Sequence, residues 1–156
     1  MELRDQVALI TGGSQGIGEA IAHKFAGAGA RCAVVASLNL KKAGKVARSV
    51  KHGAKAYVAN VAKPTEVNKL VTQVIENFGR IDIVVNSAGV FYPTPAGETT
   101  TAEMNRMIDV NLKGTWNVVN AVVPHMKARG YGNIINLASA AGERGFPNYS
   151  IYCATK

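Results

Sequence analysis

The chain has little cysteine, few aromatic residues and no block of like charges. Its 156 residues include two cysteines, Cys32 and Cys153, at a spacing that fits no metal site. One lies in an apolar run and the other beside Tyr152. A reduced, cytoplasmic setting is therefore expected. Residues Met1–Asp5 lack the cationic stretch and following apolar stretch of a secretory signal. No apolar run is long enough to cross a bilayer, so no membrane partner is expected. His23, His52 and His125 show no metal spacing, and no metal is expected. Acidic residues are scarce: 10 Asp and Glu stand against 18 Lys and Arg, for a net charge of +8. Such an excess raises the question of nucleic acid. The cations are scattered, however, and no five like charges adjoin. A solvated surface with a few cations near an anionic ligand is the better reading, without nucleic acid.

What is present suits a packed domain. The chain is 47% hydrophobic and 18% charged, enough apolar material for one core. Short β-prone runs alternate with helical patterns. Strands are expected at Val7–Thr11, Arg31–Ser37, Ala56–Val61, Ile81–Asn86 and Ile134–Ala138. Helices are expected from Gly16 to Ala28 and from Lys41 to Lys51. A third should run from Pro64 to Asn77 and stop at Gly79. Thr100 and Glu103 form a capping-box signature. It opens a long helix toward Arg129 that Pro124 should bend. A last helix begins near Tyr149 and is broken off at Lys156. Strands written as continuous apolar runs have both faces covered. The alternation therefore gives an α/β fold, a Rossmann-type doubly wound parallel sheet. All of residues 1–156 read as one domain of this fold.

The segment Thr11-Gly12-Gly13-Ser14-Gln15-Gly16-Ile17-Gly18 joins the first strand to the first helix. Glycines let the backbone turn sharply and approach a pyrophosphate, and the helix N-terminus offers unpaired N–H groups. The loop Gly89–Thr100 leaves the carboxyl end of the fourth strand, where such folds bind ligands. At the far end, Tyr152 and Lys156 are four residues apart and share a helix face. A neighbouring ammonium favours the phenolate, which suits Tyr152 to proton transfer near neutral pH. Ser139 lies thirteen residues upstream. Alone, the pair could be ordinary helix surface and Ser139 a strand-end cap.

Taken together, these segments resemble the classical short-chain dehydrogenase/reductase family over the whole chain. Thr11-Gly-x-x-x-Gly16-x-Gly18 matches its cofactor loop. Asn86-Ser87-Ala88-Gly89 matches its Asn-Asn-Ala-Gly motif, with Ser87 in place of the second asparagine. Asn111 matches a mid-helix asparagine, and Ser139, Tyr152 and Lys156 match the catalytic set. The resemblance implies an oxidoreductase that interconverts a carbonyl and a secondary alcohol. Tyr152 would protonate the carbonyl oxygen, Ser139 would hydrogen-bond it, and Lys156 would support Tyr152 and the nicotinamide ribose. Asn111 would hold a water through its backbone carbonyl, or simply satisfy itself within the helix. Gly12, Ser14, Gln15, Gly16, Ile17 and Gly18 would cradle the cofactor. Ser37, Asn39, Asn60, Val61, Asn86, Ala88 and Gly89 would complete its site, with Tyr152 and Lys156. Phe91, Tyr92 and Phe146 either line a pocket or pack in loops.

Cofactor choice turns on another absence. No Asp or Glu ends the second strand, where NAD binders place an acid for the ribose 2′-OH. Ala36-Ser37-Leu38-Asn39 stands there, followed by Lys41 and Lys42. This favours NADP. NAD stays open, because Gln15 occupies a loop position that is often basic in NADP-using relatives. The overall look is nearest to 3-oxoacyl-acyl-carrier-protein reductases and related carbonyl reductases. The substrate would be a small carbonyl or alcohol, free or bound to a carrier protein. Lys127 and Arg129 either meet an acidic carrier or complement a helix C-terminus. Sugar, polyol or steroid dehydrogenation and a turnover-free nucleotide sensor are the alternatives. The family continues for about half as much chain again. These 156 residues are therefore expected to be a piece of a longer homodimer or homotetramer, cut within the sixth helix, with the C-terminal strands missing.

Overall fold

The computed structural model describes residues 3–50 and 52–156. Five strands form one parallel sheet in the order β3-β2-β1-β4-β5. They are β1 (Val7–Thr11), β2 (Arg31–Ala36), β3 (Lys55–Val58), β4 (Ile83–Asn86) and β5 (Asn133–Asn136). The helices are α1 (Gly16–Gly27), α2 (Leu40–Val50), α3 (Pro64–Phe78), α4 (Thr101–Met107), α5 (Gly114–Arg129) and α6 (Ser150–Thr155). A π-helical segment, Ile108–Lys113, joins α4 to α5, and a 3-10 turn, Ala140–Gly142, follows β5. The chain leaves the sheet centre in one direction through β2 and β3, then returns and leaves in the other through β4 and β5. A crevice opens at the carboxyl ends where the direction switches, between β1 and β4.

Period-2 alternation in β1 explains the two layers. Val7 and Leu9 point into a core with Val67, Val71, Val118 and Val122. Ala8 and Ile10 point to the opposite side, among Ala22, Ala26, Ala43 and Val46. Five of five β1 side chains are buried, as a doubly covered strand requires. β5 is different: Ile134 is half-buried, and Asn133, Ile135 and Asn136 are exposed.

Several boundaries moved by a few residues. β3 and β4 are shorter than the apolar runs suggested. β5 starts one residue early and ends at Asn136, although Leu137 still donates its N–H to the Asn86 carbonyl. The helix expected up to Lys51 runs through Val50, and Lys51 itself lies outside the described residues, as do Met1 and Glu2. The long helix is the largest correction. Its capping box is present, with Thr100 Oγ1 accepting the Glu103 N–H and Glu103 Oε2 accepting the Thr100 N–H. Yet α5 runs through Pro124 unbroken, and the irregularity falls at Ile108–Lys113. Proline removes the bond to residue 120, and both Pro124 and Asn120 are exposed, so the freed carbonyl is open to solvent.

Asp82 fastens the amino end of the sheet. It is fully buried. Its carboxylate accepts bonds from Arg80 at 2.6–2.9 Å, from Arg129 at 3.0 Å and from the Val7 N–H at 2.9 Å. Arg129 also donates to the Ile81 carbonyl at 3.2 Å. That guanidinium is engaged inside the fold, at the sheet end away from the crevice. Burial alone would raise the Asp82 pKa. The hydrogen bonds from Arg80, Val7 and Arg129 outweigh it and hold the carboxyl below its ordinary value. A carboxylate depressed in the folded state stabilises above its unfolded pKa of about 3.9 and loses that contribution as pH falls through the folded value. Urea melts from pH 7 to pH 2 should therefore show stability falling below about pH 4. Asp82→Asn should cost about 2 kcal/mol at pH 7 and flatten that acid limb. An acid limb of unchanged slope in the variant would contradict the assignment.

Candidate active site

A cleft of about 910 Å³ lies at the switch point. One wall is the turn between β1 and α1, with Gly12, Ser14, Gln15, Gly16 and Ile17 on its surface. The turn is pinned by Thr11, whose Oγ1 donates to the Val85 carbonyl and accepts the N–H groups of Ser87 and Ala88, both at 3.2 Å. Gly12 has φ +65°, and a Cβ there would stand 2.8 Å from Ala88 N and Ser87 O. Only glycine fits that contact. Gly18 is different from its loop neighbours. It is buried and does not line the cleft, and a Cβ on it would sit 2.5 Å from the Gly12 carbonyl oxygen. It lets α1 pack under the loop. Gln15 precedes α1 in extended conformation and gives no side-chain cap. The first N–H groups of the helix are thus left to whatever enters the cleft.

The second wall comes from the ends of β2 and β3. Ser37, Leu38, Asn39 and Lys42 line it, with Asn60 and Val61. No carboxylate follows β2 here. Two amide oxygens already have local partners: Asn39 Oδ1 caps α2 by accepting the Lys42 N–H at 3.1 Å, and Asn60 Oδ1 accepts the Ala62 N–H at 3.0 Å. The far side adds Asn105, Arg106 and Asp109, on a helical face that the sequence did not single out.

The third wall holds Ala88, Gly89 and Phe91 after β4, Tyr152 of α6 and Lys156 just past its end. Lys156 Nζ lies 5.8 Å from the Tyr152 ring centre and donates to the Leu137 carbonyl at 2.8 Å. Burial pushes the Lys156 pKa down. Phe91 meets Tyr152 edge-on, with centres 4.7 Å apart, and stacks on Tyr149 at the same distance. Of the other two aromatics considered from sequence, Tyr92 lines a neighbouring cavity of about 440 Å³ with Pro93, Ala102, Glu103 and Arg106, and Phe146 lines neither that cavity nor the cleft. The Tyr92 hydroxyl donates to the Glu103 carbonyl, and Phe146 packs under Arg144.

Asn86, Asn111 and Ser139 stand behind this surface. Asn86 Nδ2 donates to Asn136 Oδ1, while its own Oδ1 is buried without a hydrogen-bond partner among the described residues. Ser139 Oγ accepts the Ala141 N–H at 3.1 Å and caps the short 3-10 turn. Asn111 lies in the π-helical segment, a feature that often marks functional sites. Its Oδ1 accepts the Val90 N–H at 2.8 Å, and its Nδ2 donates to the Val90 carbonyl at 3.0 Å and to Thr155 Oγ1 at 3.2 Å. Thr155 Oγ1 donates in turn to the Tyr152 carbonyl at 2.9 Å. The Asn111 carbonyl, expected to hold a water, accepts the Thr115 hydroxyl at 2.9 Å and keeps a second lone pair. Thr155 was not singled out from the sequence, because a threonine in a helix gives no signal without its partner.

The arrangement suits a dinucleotide and proton transfer. The glycine turn and open helix end fit a pyrophosphate, and a phenol and an ammonium stand at the other end of the cleft. Comparison with known proteins agrees. The family model described as short chain dehydrogenase matches residues 6–156. Galactitol 2-dehydrogenase of Agrobacterium fabrum is 40% identical over 157 residues, covering 100% of this chain and 61% of that protein. A 3-oxoacyl-acyl-carrier-protein reductase of Staphylococcus epidermidis is 38% identical over 152 residues, covering 96% of this chain and 62% of the relative. A gluconate 5-dehydrogenase from Burkholderia cenocepacia, solved in complex with NADP and tartrate, superposes with a TM-score of 0.94 at 36% identity. That match covers 99% of this chain and 62% of the other. The chain therefore spans about three fifths of each of these relatives. The matched family model, the parallel sheet and the glycine turn lead to one conclusion: this chain belongs to the short-chain dehydrogenase/reductase family.

Proposed function

We propose that the full-length protein is an NADP(H)-dependent oxidoreductase that interconverts a carbonyl and a secondary alcohol. The observation that carries this reading is a single cleft bounded at one end by the α1 glycine turn and at the other by Tyr152 and Lys156. When bound, the nicotinamide cofactor supplies hydride to the carbonyl carbon or takes it from the alcohol. In the reducing direction, the Tyr152 hydroxyl gives its proton to the substrate oxygen, and the C=O becomes CH–OH. The Lys156 ammonium stabilises the phenolate left behind. Ser139 is the proposed hydrogen-bond donor to the substrate oxygen, once its own hydroxyl hydrogen turns toward it. Asn111 keeps the loop after β4 and the helix bearing Tyr152 in fixed relation.

NADP is favoured over NAD by the rim after β2. Ser37 and Lys42 face the cleft there and no carboxylate does, so a 2′-phosphate meets a cation and not a repelling charge. The substrate is either a 3-oxoacyl group on a carrier or a polyol or sugar acid, the classes for which these relatives are named.

Two measurements test the proposal. Tyr152→Phe in the full-length protein should lower kcat by about 10²-fold or more and leave the NADPH dissociation constant within about twofold. Wild-type turnover in that variant would overturn the role of Tyr152. Lys42→Ala should weaken NADPH binding about tenfold, the size of one charge-assisted contact, and leave NADH binding unchanged. Titrations read by cofactor fluorescence separate the two. An equal loss for both cofactors would remove Lys42 from the 2′-phosphate site.

A further inference from the structure

We infer that Thr94 is a positioning residue for Tyr152: it caps, from a distant segment, the helix that carries the proton donor. This rests on the reading of Tyr152 above. Every helix leaves its first N–H groups without intrahelical partners, and a residue just before the helix usually takes one of them. α6 lacks that local device. Tyr149 stands at its N-cap, with φ −127° and ψ 34°, and gives no side-chain cap. Thr94 takes the role instead. Its Oγ1 accepts the Ile151 N–H at 3.1 Å across 57 residues of sequence. Its carbonyl accepts the Ser150 hydroxyl at 2.7 Å. Its N–H donates to the Asn148 carbonyl at 2.6 Å, and a parallel bridge pairs it with Tyr149.

Three further observations favour a placing role over general packing. Thr94 is fully buried, although it lies within a loop at the mouth of the cleft. Asn148, whose carbonyl it holds, turns the chain into α6 with φ +63°, a left-handed conformation that asparagine tolerates. Phe91, three residues earlier in the same loop, meets the Tyr152 ring. The loop thus sets both the backbone one residue before Tyr152 and one edge of its ring. The opposite end of α6 is tied separately, through Thr155 to Asn111 and through Lys156 to Leu137. Loss of the Thr94 cap should therefore tilt or fray the first turn and leave the cofactor walls in place.

The test uses the full-length protein with Thr94→Val, which keeps shape and loses the acceptor, and Thr94→Ser, which restores it. Thr94→Val should lower kcat about tenfold to a hundredfold, the cost of a small misplacement of a reacting group. The NADPH dissociation constant should stay within about twofold, and Thr94→Ser should regain most of the wild-type kcat. A second readout does not need turnover. In protein grown with 3-fluorotyrosine, the ¹⁹F resonance of Tyr152, identified by its loss in Tyr152→Phe, should shift or broaden in Thr94→Val and return in Thr94→Ser. Unchanged kcat together with an unchanged resonance would overturn the inference. So would a joint loss of kcat and cofactor binding that Thr94→Ser fails to rescue. If Thr94→Val does not fold, Ser150→Ala removes the reciprocal bond at an exposed side chain, and the Tyr152 resonance must then move for the inference to stand. A wild type that turns over no carbonyl strikes the proposed function, while the resonance still decides the role of Thr94.

Discussion

The site depends on one contact, the meeting of the β1 and β4 loops at the switch point of the sheet. Thr11 Oγ1 accepts two successive N–H groups, from Ser87 and Ala88, and Gly12 lies against the same backbone with no room for a side chain. The contact fixes how far the glycine turn stands from the loop after β4. The cleft of about 910 Å³ opens beside that contact, with both loops on its walls. Parallel strands supply the frame, since their carboxyl ends all point the same way and bring loops from distant sequence to one edge.

From that contact, order passes outward through uncharged groups. Ala88 leads to Val90, which Asn111 grips through both its N–H and its carbonyl. Asn111 does this from the locally π-helical segment. The same amide reaches Thr155, and so the helix that carries Tyr152 and Lys156. The ion pairs of the buried Asp82 lie elsewhere. Asp82, Arg80 and Arg129 hold the amino end of β4 and β1, at the opposite side of the sheet. This separation leaves Lys156 as the ammonium beside Tyr152, partly desolvated and anchored on a carbonyl.

Much of this was legible in the sequence because local rules agreed with the fold. The strand and helix order follows from apolar runs and from stop signals such as Gly79. The capping box at Thr100 and Glu103 is a local motif, and local motifs survive folding. The glycine turn and the Tyr152–Lys156 spacing place both ends of the cleft. The illegible parts are tertiary. An i→i+5 segment has no apolar period of its own, so Ile108–Lys113 looked like continuous helix. Pro124 looked disruptive because its orientation toward solvent cannot be seen in a sequence. Arg129 could be read as meeting an acidic carrier or as complementing its helix end, and its bond to Asp82, 47 residues away, is visible only in the fold. Thr94 and Thr155 gain meaning only from partners that the sheet brings near. Ser139 does cap the turn after β5, one of the two roles that its place in the sequence allowed.

The central claim is that this cleft carries hydride and proton to the two atoms of one carbonyl. Isotope placement tests it most directly. Full-length protein, NADPH deuterated at the transferred position and a 3-oxoacyl thioester or keto sugar should yield an alcohol with deuterium on the former carbonyl carbon and a solvent-derived proton on oxygen. Product that lacks carbon-bound deuterium, or cofactor binding with no reduction of either substrate class, would contradict the account.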